Sequence, residues 1–143
     1  MFIGEYAHSI DEKGRIAIPA KFRSLLSTGA VVTRGLDHCL FLYTLAEWKK
    51  LAEKLASLPI SQKNTRAFAR MMLAGAMDVM VDRQGRLMVP EYLRTYAGIQ
   101  KKVVVAGLYN RLELWDEAAW NIYKNKTEKG NEKIAEQLGE LGV

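Results

Sequence analysis

The 143-residue sequence contains one cysteine, Cys39, and three prolines, and it has no long apolar run. A single cysteine excludes a disulfide within the chain and fits a reducing compartment. No stretch approaches the roughly 20 apolar residues that a membrane-spanning helix needs. The amino terminus also lacks the basic start and apolar core of a signal peptide. These absences predict a cytoplasmic protein with no membrane partner.

The sequence also lacks the common motifs of enzymes. It has no glycine-rich phosphate loop, no His-Glu-x-x-His and no paired-cysteine metal spacing. His38 and Cys39 are adjacent, but neighbouring side chains on a strand point to opposite faces, which is poor geometry for a nucleophile and its base. We expect Cys39 to be a small buried residue. The sequence therefore predicts no enzymatic activity, no cofactor, no metal and no small-molecule substrate.

What is present is an ordinary globular composition with a basic balance. Apolar residues make up 49% of the chain and charged residues 26%, which is not the composition of a disordered protein. Lys and Arg number 21 against 16 Asp and Glu, for a net charge of +5. This balance is compatible with a polyanionic partner, but many proteins without such a partner are equally basic.

The strongest signal in the sequence is an internal repeat. The segment Asp11–Arg23, Asp-Glu-Lys-Gly-Arg-Ile-Ala-Ile-Pro-Ala-Lys-Phe-Arg, returns as Asp82–Arg94, Asp-Arg-Gln-Gly-Arg-Leu-Met-Val-Pro-Glu-Tyr-Leu-Arg. The Asp, Gly, first Arg, Pro and closing Arg are identical in the two copies. The repeat predicts two equivalent units, residues 1–74 and 75–143, and the chain length is typical of one compact domain or of two small intertwined ones.

Each copy shows strand patterns followed by helix patterns, which predicts an α+β fold rich in β-structure. Residues of β-branched and alternating apolar character indicate the strands. The predicted strands include residues 31–33, 40–43, 103–106 and 112–115, and the alternating residues 6, 8 and 10 and residues 77, 79 and 81 also indicate a strand in each copy. His8 aligns with Val79 of the second copy, so we interpret it as a histidine at the core or its edge rather than a metal ligand.

Capping residues mark the predicted helices. Thr44, with Glu47 three residues later, forms a capping box, and Asp116 is the equivalent cap in the second copy. Ser61 is predicted to cap a further helix that reaches Ala74. The residues from Thr127 to Leu141 are predicted to form a charged helix with one apolar stripe, which needs a partner surface.

The two Asp-x-x-Gly-Arg segments predict tight turns. An aspartate at the first position accepts backbone N–H groups two residues on, and a glycine at the fourth position tolerates positive φ. The prolines fix φ and suit the first position of a short helix. We assign this loop-structuring role to Asp11, Gly14, Pro19, Asp82, Gly85 and Pro90.

Turn geometry does not explain why both copies carry an arginine, Arg15 and Arg86. A guanidinium is planar, always charged and bidentate, which suits a phosphate or the edge of a guanine. The alternative is that each arginine only closes an ion pair with the aspartate of its own turn. Other basic residues lie near the two turns in sequence, and Gln84 is suited to reading a base edge. The residues suited to DNA phosphates are Lys21, Arg23, Arg83 and Arg94.

The doubled motif, its spacing and the Met-Phe-x-Gly-Glu-Tyr start resemble the MraZ family, which is related to AbrB-type swapped-hairpin transcription factors. The resemblance covers essentially the whole chain. It implies two tandem AbrB-like repeats that form a pseudo-two-fold swapped-hairpin, or double-split, β-barrel with flanking helices. Carried over by position, the DNA-contacting element comprises Asp11, Lys13, Gly14 and Arg15, together with Asp82, Gln84, Gly85 and Arg86.

The resemblance also implies a function. It points to a nucleoid-associated regulator that binds double-stranded DNA at the promoter of the division and cell-wall gene cluster, as a ring-shaped homo-oligomer. The second turn carries Arg83-Gln84 where the first carries Glu12-Lys13, so the two turns are not expected to read equivalent bases. A protein-interaction module or oligomeric scaffold that binds an acidic partner through the same basic loops is the alternative that the sequence leaves open.

Overall fold

The computed structural model describes all residues from Met1 to Val143. The strands are β1 Phe2–Ser9, β2 Arg15–Ala17, β3 Ala30–Arg34, β4 Leu40–Thr44, β5 Met77–Val79, β6 Arg86–Met88, β7 Lys102–Tyr109 and β8 Leu112–Asp116. The α-helices are α1 Ala20–Arg23, α2 Leu45–Ala56, α3 Lys63–Ala69, α4 Glu91–Ala97, α5 Glu117–Lys129 and α6 Asn131–Leu138. A π-helical turn over Arg70–Ala74 continues α3, and short 3-10 turns occupy Ser24–Leu26 and Gly139–Leu141.

The strands form two sheets that interleave the two repeats. Six strands form an antiparallel sheet in the order β1-β7-β8-β4-β3-β5, and β2 pairs with β6 in a separate two-stranded ribbon. The first strand of each repeat pairs with the third strand of the other, β1 with β7 and β5 with β3. Exchanging the repeats reverses the strand order, so a pseudo-two-fold axis passes between β4 and β8 and through the ribbon. The predicted α+β swapped-hairpin fold is confirmed.

The main core lies between the six-stranded sheet and the ribbon. It comprises 19 buried residues. Ile16 and Leu87 face each other across the ribbon and point into this core, which also includes Phe22 of α1 and Leu93 of α4. Burying side chains of this size contributes roughly 1.5–3 kcal/mol each. The ribbon is therefore held to the molecule through its inner face, which leaves its outer face free.

Helices cover the other face of the six-stranded sheet. Phe41 and Tyr43 of β4 and Trp115 of β8 pack there against Trp48 of α2 and Trp120 of α5. Cys39 is buried in the same cluster, as predicted, and its thiol donates to the Leu36 carbonyl at 3.1 Å. Desolvation raises the pKa of this thiol far above its usual value, so Cys39 is not poised as a nucleophile. None of the helices combines the length and apolar character needed to cross a membrane.

Most of the predicted local structure is present. The Thr44 hydroxyl accepts the Glu47 N–H at 3.1 Å and the Asp116 carboxylate accepts the Ala119 N–H at 3.4 Å, so both predicted helix caps are confirmed. The four continuous segments predicted as strands all lie within observed strands. His8 is half-buried on β1, and its Nε2 has no hydrogen-bond partner. Desolvation lowers its pKa, as suits a histidine at the edge of the core.

Several helix boundaries differ from the prediction. The helix for which Ser61 was the predicted cap begins at Lys63, after Gln62, with no side-chain cap. A turn takes up Ser61, because the Gln62 N–H bonds the Pro59 carbonyl at 3.4 Å. The predicted 127–141 helix is wrong as one element, since α5 runs to residue 129 and Gly130 separates it from α6. The two motif prolines precede α1 and α4 by one residue instead of occupying their first position.

Candidate nucleic-acid interface

The first loop, Asp11–Arg15, is a turn closed by its aspartate. The Asp11 Oδ1 atom accepts the N–H groups of Lys13 and Arg15, each at 2.9 Å. Gly14 has φ of +83°, which a residue with a side chain adopts only with strain. The second loop, Asp82–Arg86, repeats this geometry with bonds of 2.9 Å from Gln84 and Arg86, and Gly85 has φ of +77°. The turn chemistry predicted from the sequence is confirmed in both copies.

Each loop arginine forms an ion pair with the aspartate of its own turn. The Arg15 Nε atom lies 2.6 Å from Asp11 Oδ2, and the Arg86 Nε atom lies 3.2 Å from Asp82 Oδ2. This contact is the alternative role raised by the sequence. It uses only one of the N–H groups of each guanidinium, however, and neither terminal nitrogen donates a hydrogen bond within the chain. The end of each arginine that would face a ligand is free.

These ion pairs orient the arginines more than they stabilise the fold. The side chains of Arg15 and Arg86 are 33% and 29% exposed, and their aspartates 36% and 40%. Ion pairs this accessible to water typically contribute about 0–1 kcal/mol. An aspartate that holds Nε removes much of the freedom of a long side chain before a ligand arrives. We therefore interpret both aspartates as supports for an outward-facing guanidinium.

Hydrogen bonds to the loops lower the pKa of both aspartates. For Asp11 the largest cause is the bond from the Arg15 backbone N–H, and the Arg15 side chain adds to it. For Asp82 the largest cause is the bond from the Arg86 backbone N–H. Both carboxylates are ionised at neutral pH, as an ordinary aspartate is, and the lowered pKa extends this ionised state to more acidic pH.

The register of the ribbon brings the two arginines to one surface. Arg15 lies opposite Met88 and Arg86 lies opposite Ala17, on either side of the central Ile16–Leu87 pair. Because side chains alternate between the two faces of a strand, these four residues share the face opposite Ile16 and Leu87. We call this surface, formed by Arg15, Ala17, Arg86 and Met88, the outer face of the ribbon. The two arginines are diagonal neighbours on it, and such pairs lie about 7–8 Å apart.

The predicted flanking residues fall into three groups. Lys13, Arg83 and Gln84 are exposed on the loops. The Lys21 ammonium lies 5.0 Å from the centroid of the Tyr6 ring and 5.1 Å from that of Phe22, so it rests on the protein. The closing arginines of the two motifs are bonded internally, with Arg23 Nε donating to Ile18 O at 2.9 Å and Arg94 Nε donating to Val89 O at 3.0 Å.

Two lysines near the first loop were missed by the sequence reasoning. Lys101 and Lys102 line a shallow groove together with Asp11 and Arg94. The Lys101 carbonyl accepts the Ile10 N–H at 2.9 Å, which fixes this pair of lysines beside the start of the loop. The internal repeat could have revealed them, because the equivalent positions of the first copy, residues 29–30, are Gly-Ala and carry no charge. The basic surface is therefore not symmetric.

Comparisons with known proteins cover both repeats. The sequence profile of a family described as "MraZ protein, putative antitoxin-like" matches residues 1–71 and again residues 72–140. The protein named Transcriptional regulator MraZ from Halothermothrix orenii is 52% identical over 143 residues, which is 100% of each chain. Proteins of the same name from Acetivibrio thermocellus and Thermoanaerobacter pseudethanolicus are each 48% identical over the same 143 residues, again 100% of each chain.

Proposed function

The chain belongs to the MraZ family, and we propose that it is a sequence-specific DNA-binding regulator of transcription. The observation that carries this proposal is the outer face of the ribbon, where two arginines are each held through Nε by an aspartate and keep their terminal nitrogens free. The family relatives are named as transcriptional regulators, and the prediction that the chain is not an enzyme is confirmed by this membership.

The two-stranded form of the ribbon suits the major groove of DNA. A two-stranded antiparallel ribbon fits into this groove, where each base pair presents a distinct pattern of donors and acceptors. We propose that Arg15 and Arg86 each bind the O6 and N7 atoms of a guanine through their terminal nitrogens. Lys13 and Gln84 are exposed on the same loops and are proposed to contact neighbouring base edges. The two halves, residues 1–74 and 75–143, would then act on DNA as one intertwined unit.

Basic residues around the ribbon are proposed to supply affinity that is independent of sequence. Neutralising phosphates releases counterions and makes binding depend steeply on salt. Lys21 and Arg83 were predicted for this role, and the exposed Lys101 and Lys102 join them on the side of the first loop. Arg23 and Arg94 were also predicted to contact phosphates, and each keeps terminal N–H groups for such a contact in addition to its internal bond.

One chain alone offers too little discrimination for a specific regulator. A bidentate arginine–guanine contact contributes roughly 1–3 kcal/mol of discrimination, and a chain has two loop arginines. Specific regulators typically discriminate by about 4–10 kcal/mol. Several subunits on repeated sites close this gap through effective concentration. We therefore propose a ring-shaped homo-oligomer that reads direct repeats at the promoter of the division and cell-wall gene cluster, in association with the nucleoid in the cytoplasm.

A competition experiment tests the proposal. Purified protein is mixed with DNA from upstream of its own gene, and then with the same fragment carrying scrambled repeats, across a salt series. We expect preferential binding of the natural fragment, and loss of that preference in Arg15→Ala and Arg86→Ala with folding and assembly intact. Arg70→Ala removes an exposed arginine from the helix-covered side and serves as the matched control.

Each other outcome contradicts a different part of the proposal. Binding that is steep in salt but indifferent to sequence would indicate a generic polyanion binder. Unchanged preference in both arginine variants would overturn the assignment of the outer face. No binding to any DNA would favour the alternative of an acidic protein partner, which the basic loops also suit.

A further inference from the structure

The loops of the two halves are each attached to the strand of the other half. The Val89 N–H donates to the Gly14 carbonyl at 2.8 Å, and the Ile18 N–H donates to the Gly85 carbonyl at 2.9 Å. Each acceptor is the glycine immediately before a loop arginine. Each donor follows the ribbon strand of the opposite repeat. The position of a loop is thus fixed by residues about 70 positions away in the sequence.

The closing arginine of each motif packs on the same glycine of the opposite loop. A Cβ added to Gly14 would lie 2.8 Å from Arg94 Nε and from the Val89 carbonyl oxygen. A Cβ added to Gly85 would overlap the guanidinium of Arg23. Each arginine is itself fixed by its bond to a backbone carbonyl of its own repeat, Ile18 for Arg23 and Val89 for Arg94. The guanidinium therefore packs against the loop of the other half and limits the positions that this loop can adopt.

We propose that Arg23 and Arg94 are positioning residues that act crosswise between the halves. Arg94 sets the first loop and thereby Arg15, while Arg23 sets the second loop and thereby Arg86. This inference rests on the proposed function and deepens it, since it states which residues place the reading groups. Gly14 and Gly85 immediately precede the reading arginines, so a shift of either glycine moves an arginine that must meet its base within about 0.5 Å.

A crosswise role predicts a pattern that a phosphate contact does not. A lost phosphate contact weakens all sequences about equally and lowers the salt slope by about 1. A lost positioning residue relaxes base preference at the positions read by its dependent loop, in addition to any fall in the salt slope from the loss of its own charge. The glycine contacts also require that Arg94 affects one loop and Arg23 the other.

The experiment is a double-mutant cycle that measures binding to DNA duplexes. In these duplexes each base pair of the DNA repeat is replaced in turn. Arg15→Ala and Arg86→Ala first define the positions that each loop reads. We expect Arg94→Ala to lower preference at the Arg15 positions by about 5-fold or more, the low end of one bidentate contact. Its effect should vanish when Arg15 is already alanine and persist when Arg86 is alanine. Arg23→Ala should show the converse.

The lysine variants separate positioning from charge. Arg94→Lys and Arg23→Lys keep a positive charge but lack the Nε–H that bonds the backbone carbonyl. We expect them to restore the salt slope without restoring base preference. Restoration of both by lysine would overturn the proposal, as would equal effects of one variant on both loops. These variants also decide the question if an alanine variant unfolds.

Hydrogen exchange in the absence of DNA makes the test independent of the proposed function. In Arg94→Ala we expect faster exchange of the Val89 amide, which bonds the first loop, and unchanged exchange of the Ile18 amide. In Arg23→Ala we expect faster exchange of the Ile18 amide, which bonds the second loop, and unchanged exchange of the Val89 amide. Uniform changes at both amides, or none, would overturn the inference. A wild-type protein that binds no DNA but shows this exchange pattern would contradict only the proposed function.

Discussion

The two halves of the molecule are alike in the loops and different around them. Both loops have the same aspartate bonds, the same positive-φ glycine and the same ion pair. The edge strands differ, since β1 pairs with β7 over eight residues whereas β5 pairs with β3 over three. The loop backbone that holds each arginine is therefore the same in both halves, whereas the surrounding surface and core differ between them.

The cores of the two halves also differ in aromatic packing. Phe22 lies edge-on to the rings of Phe2 and Tyr6, with centroids 5.2 Å and 5.6 Å apart. Leu93 occupies the equivalent position in the second half, where residues 73 and 77 replace these two rings with Leu and Met. The first half is therefore anchored through rings and the second through aliphatic side chains.

The largest expected effect comes from removing these anchors. Phe22→Ala should lower the free energy of unfolding by about 3–5 kcal/mol. Leu93→Ala should cost less, because it breaks no aromatic pair, and such pairs contribute about 0.5–1.5 kcal/mol each beyond area burial. Denaturant unfolding of both variants measures the difference. A larger loss for Leu93→Ala would show that the aromatic anchor is not what distinguishes the halves.

Replacing three positive-φ glycines with alanine separates the effect of the loop contacts on stability from the effect of backbone strain. The shared strain of the left-handed conformation costs about 1–2 kcal/mol. At Gly98, with φ of +62°, a Cβ meets nothing within 4 Å, so Gly98→Ala measures the strain alone. At Gly85 the three atoms nearest to an added Cβ all belong to the Arg23 side chain, and at Gly14 the nearest atoms belong to Arg94 and to the Val89 carbonyl oxygen, which lies 2.8 Å away. Thermal melting should therefore show a larger loss for alanine at Gly14 and at Gly85 than at Gly98.

A related double variant tests the cause of this difference. Removing the Arg23 guanidinium gives the new methyl group room, so Arg23→Ala should reduce the penalty of Gly85→Ala. Arg94→Ala should rescue Gly14→Ala only in part, because the Val89 carbonyl oxygen remains 2.8 Å from the new Cβ. Equal penalties at all three glycines would indicate that conformation alone, and not cross-repeat packing, explains the conserved geometry of the two loops.

The uneven basic surface predicts a smaller effect on binding. Lys101→Ala combined with Lys102→Ala should lower the salt slope by about 2 and leave base preference unchanged, since each phosphate contact contributes about 1. Lys49→Ala with Lys54→Ala removes the same charge from α2, on the other side of the sheet, and provides the control. A matching fall in the control would mean that net charge, not the groove beside the first loop, sets the slope.

The smallest expected effect concerns the pKa of the loop aspartates. In Arg15→Ala the pKa of Asp11 should stay below its ordinary value of about 3.8, because the backbone N–H of residue 15 is the largest cause of the lowering. Asp82 should behave in the same way in Arg86→Ala. Carbon-detected NMR titration of the carboxyl groups measures both. A return to the ordinary value would show that the guanidinium, and not the turn, controls the charge.

The sign of the linked effect on stability follows from this lowering. A carboxylate with a lowered pKa in the folded state stabilises the fold above its unfolded pKa, and this contribution is lost as the pH falls through the folded pKa. Stability should therefore fall in the wild type as the pH drops below about 3.8. The double variant Asp11→Asn, Asp82→Asn should lack this part of the acid loss.

Local chemistry made much of the structure predictable from the sequence. The turn geometry follows from Asp and Gly at fixed spacing, and the caps at Thr44 and Asp116 follow from side-chain oxygens that precede apolar patterns. The same reasoning was wrong at Ser61, where a competing turn from Pro59 was stronger than the possible cap. The swapped arrangement of strands was implied only by the family resemblance.

The contacts between the halves were not predictable from local pattern. Arg23 and Arg94 have the sequence character of surface residues, and their placement on Gly85 and Gly14 depends on pairing between strands about 70 residues apart. Side-chain periodicity reports which face is buried but not which distant residue it meets. For the same reason, the sequence reasoning overlooked Lys101 and Lys102 beside the first loop.

The pseudo-two-fold ribbon has a consequence for the kind of DNA site that such a protein can read. A ribbon made by two identical chains presents the same groups twice and is limited to palindromes. Here a covalent connection joins both strands, so Glu12-Lys13 and Arg83-Gln84 can differ without loss of pairing. The ribbon also cannot come apart on dilution, because its two strands never separate into different molecules. On the proposed DNA site, an asymmetric ribbon of this kind would give the bound chain a direction along the duplex.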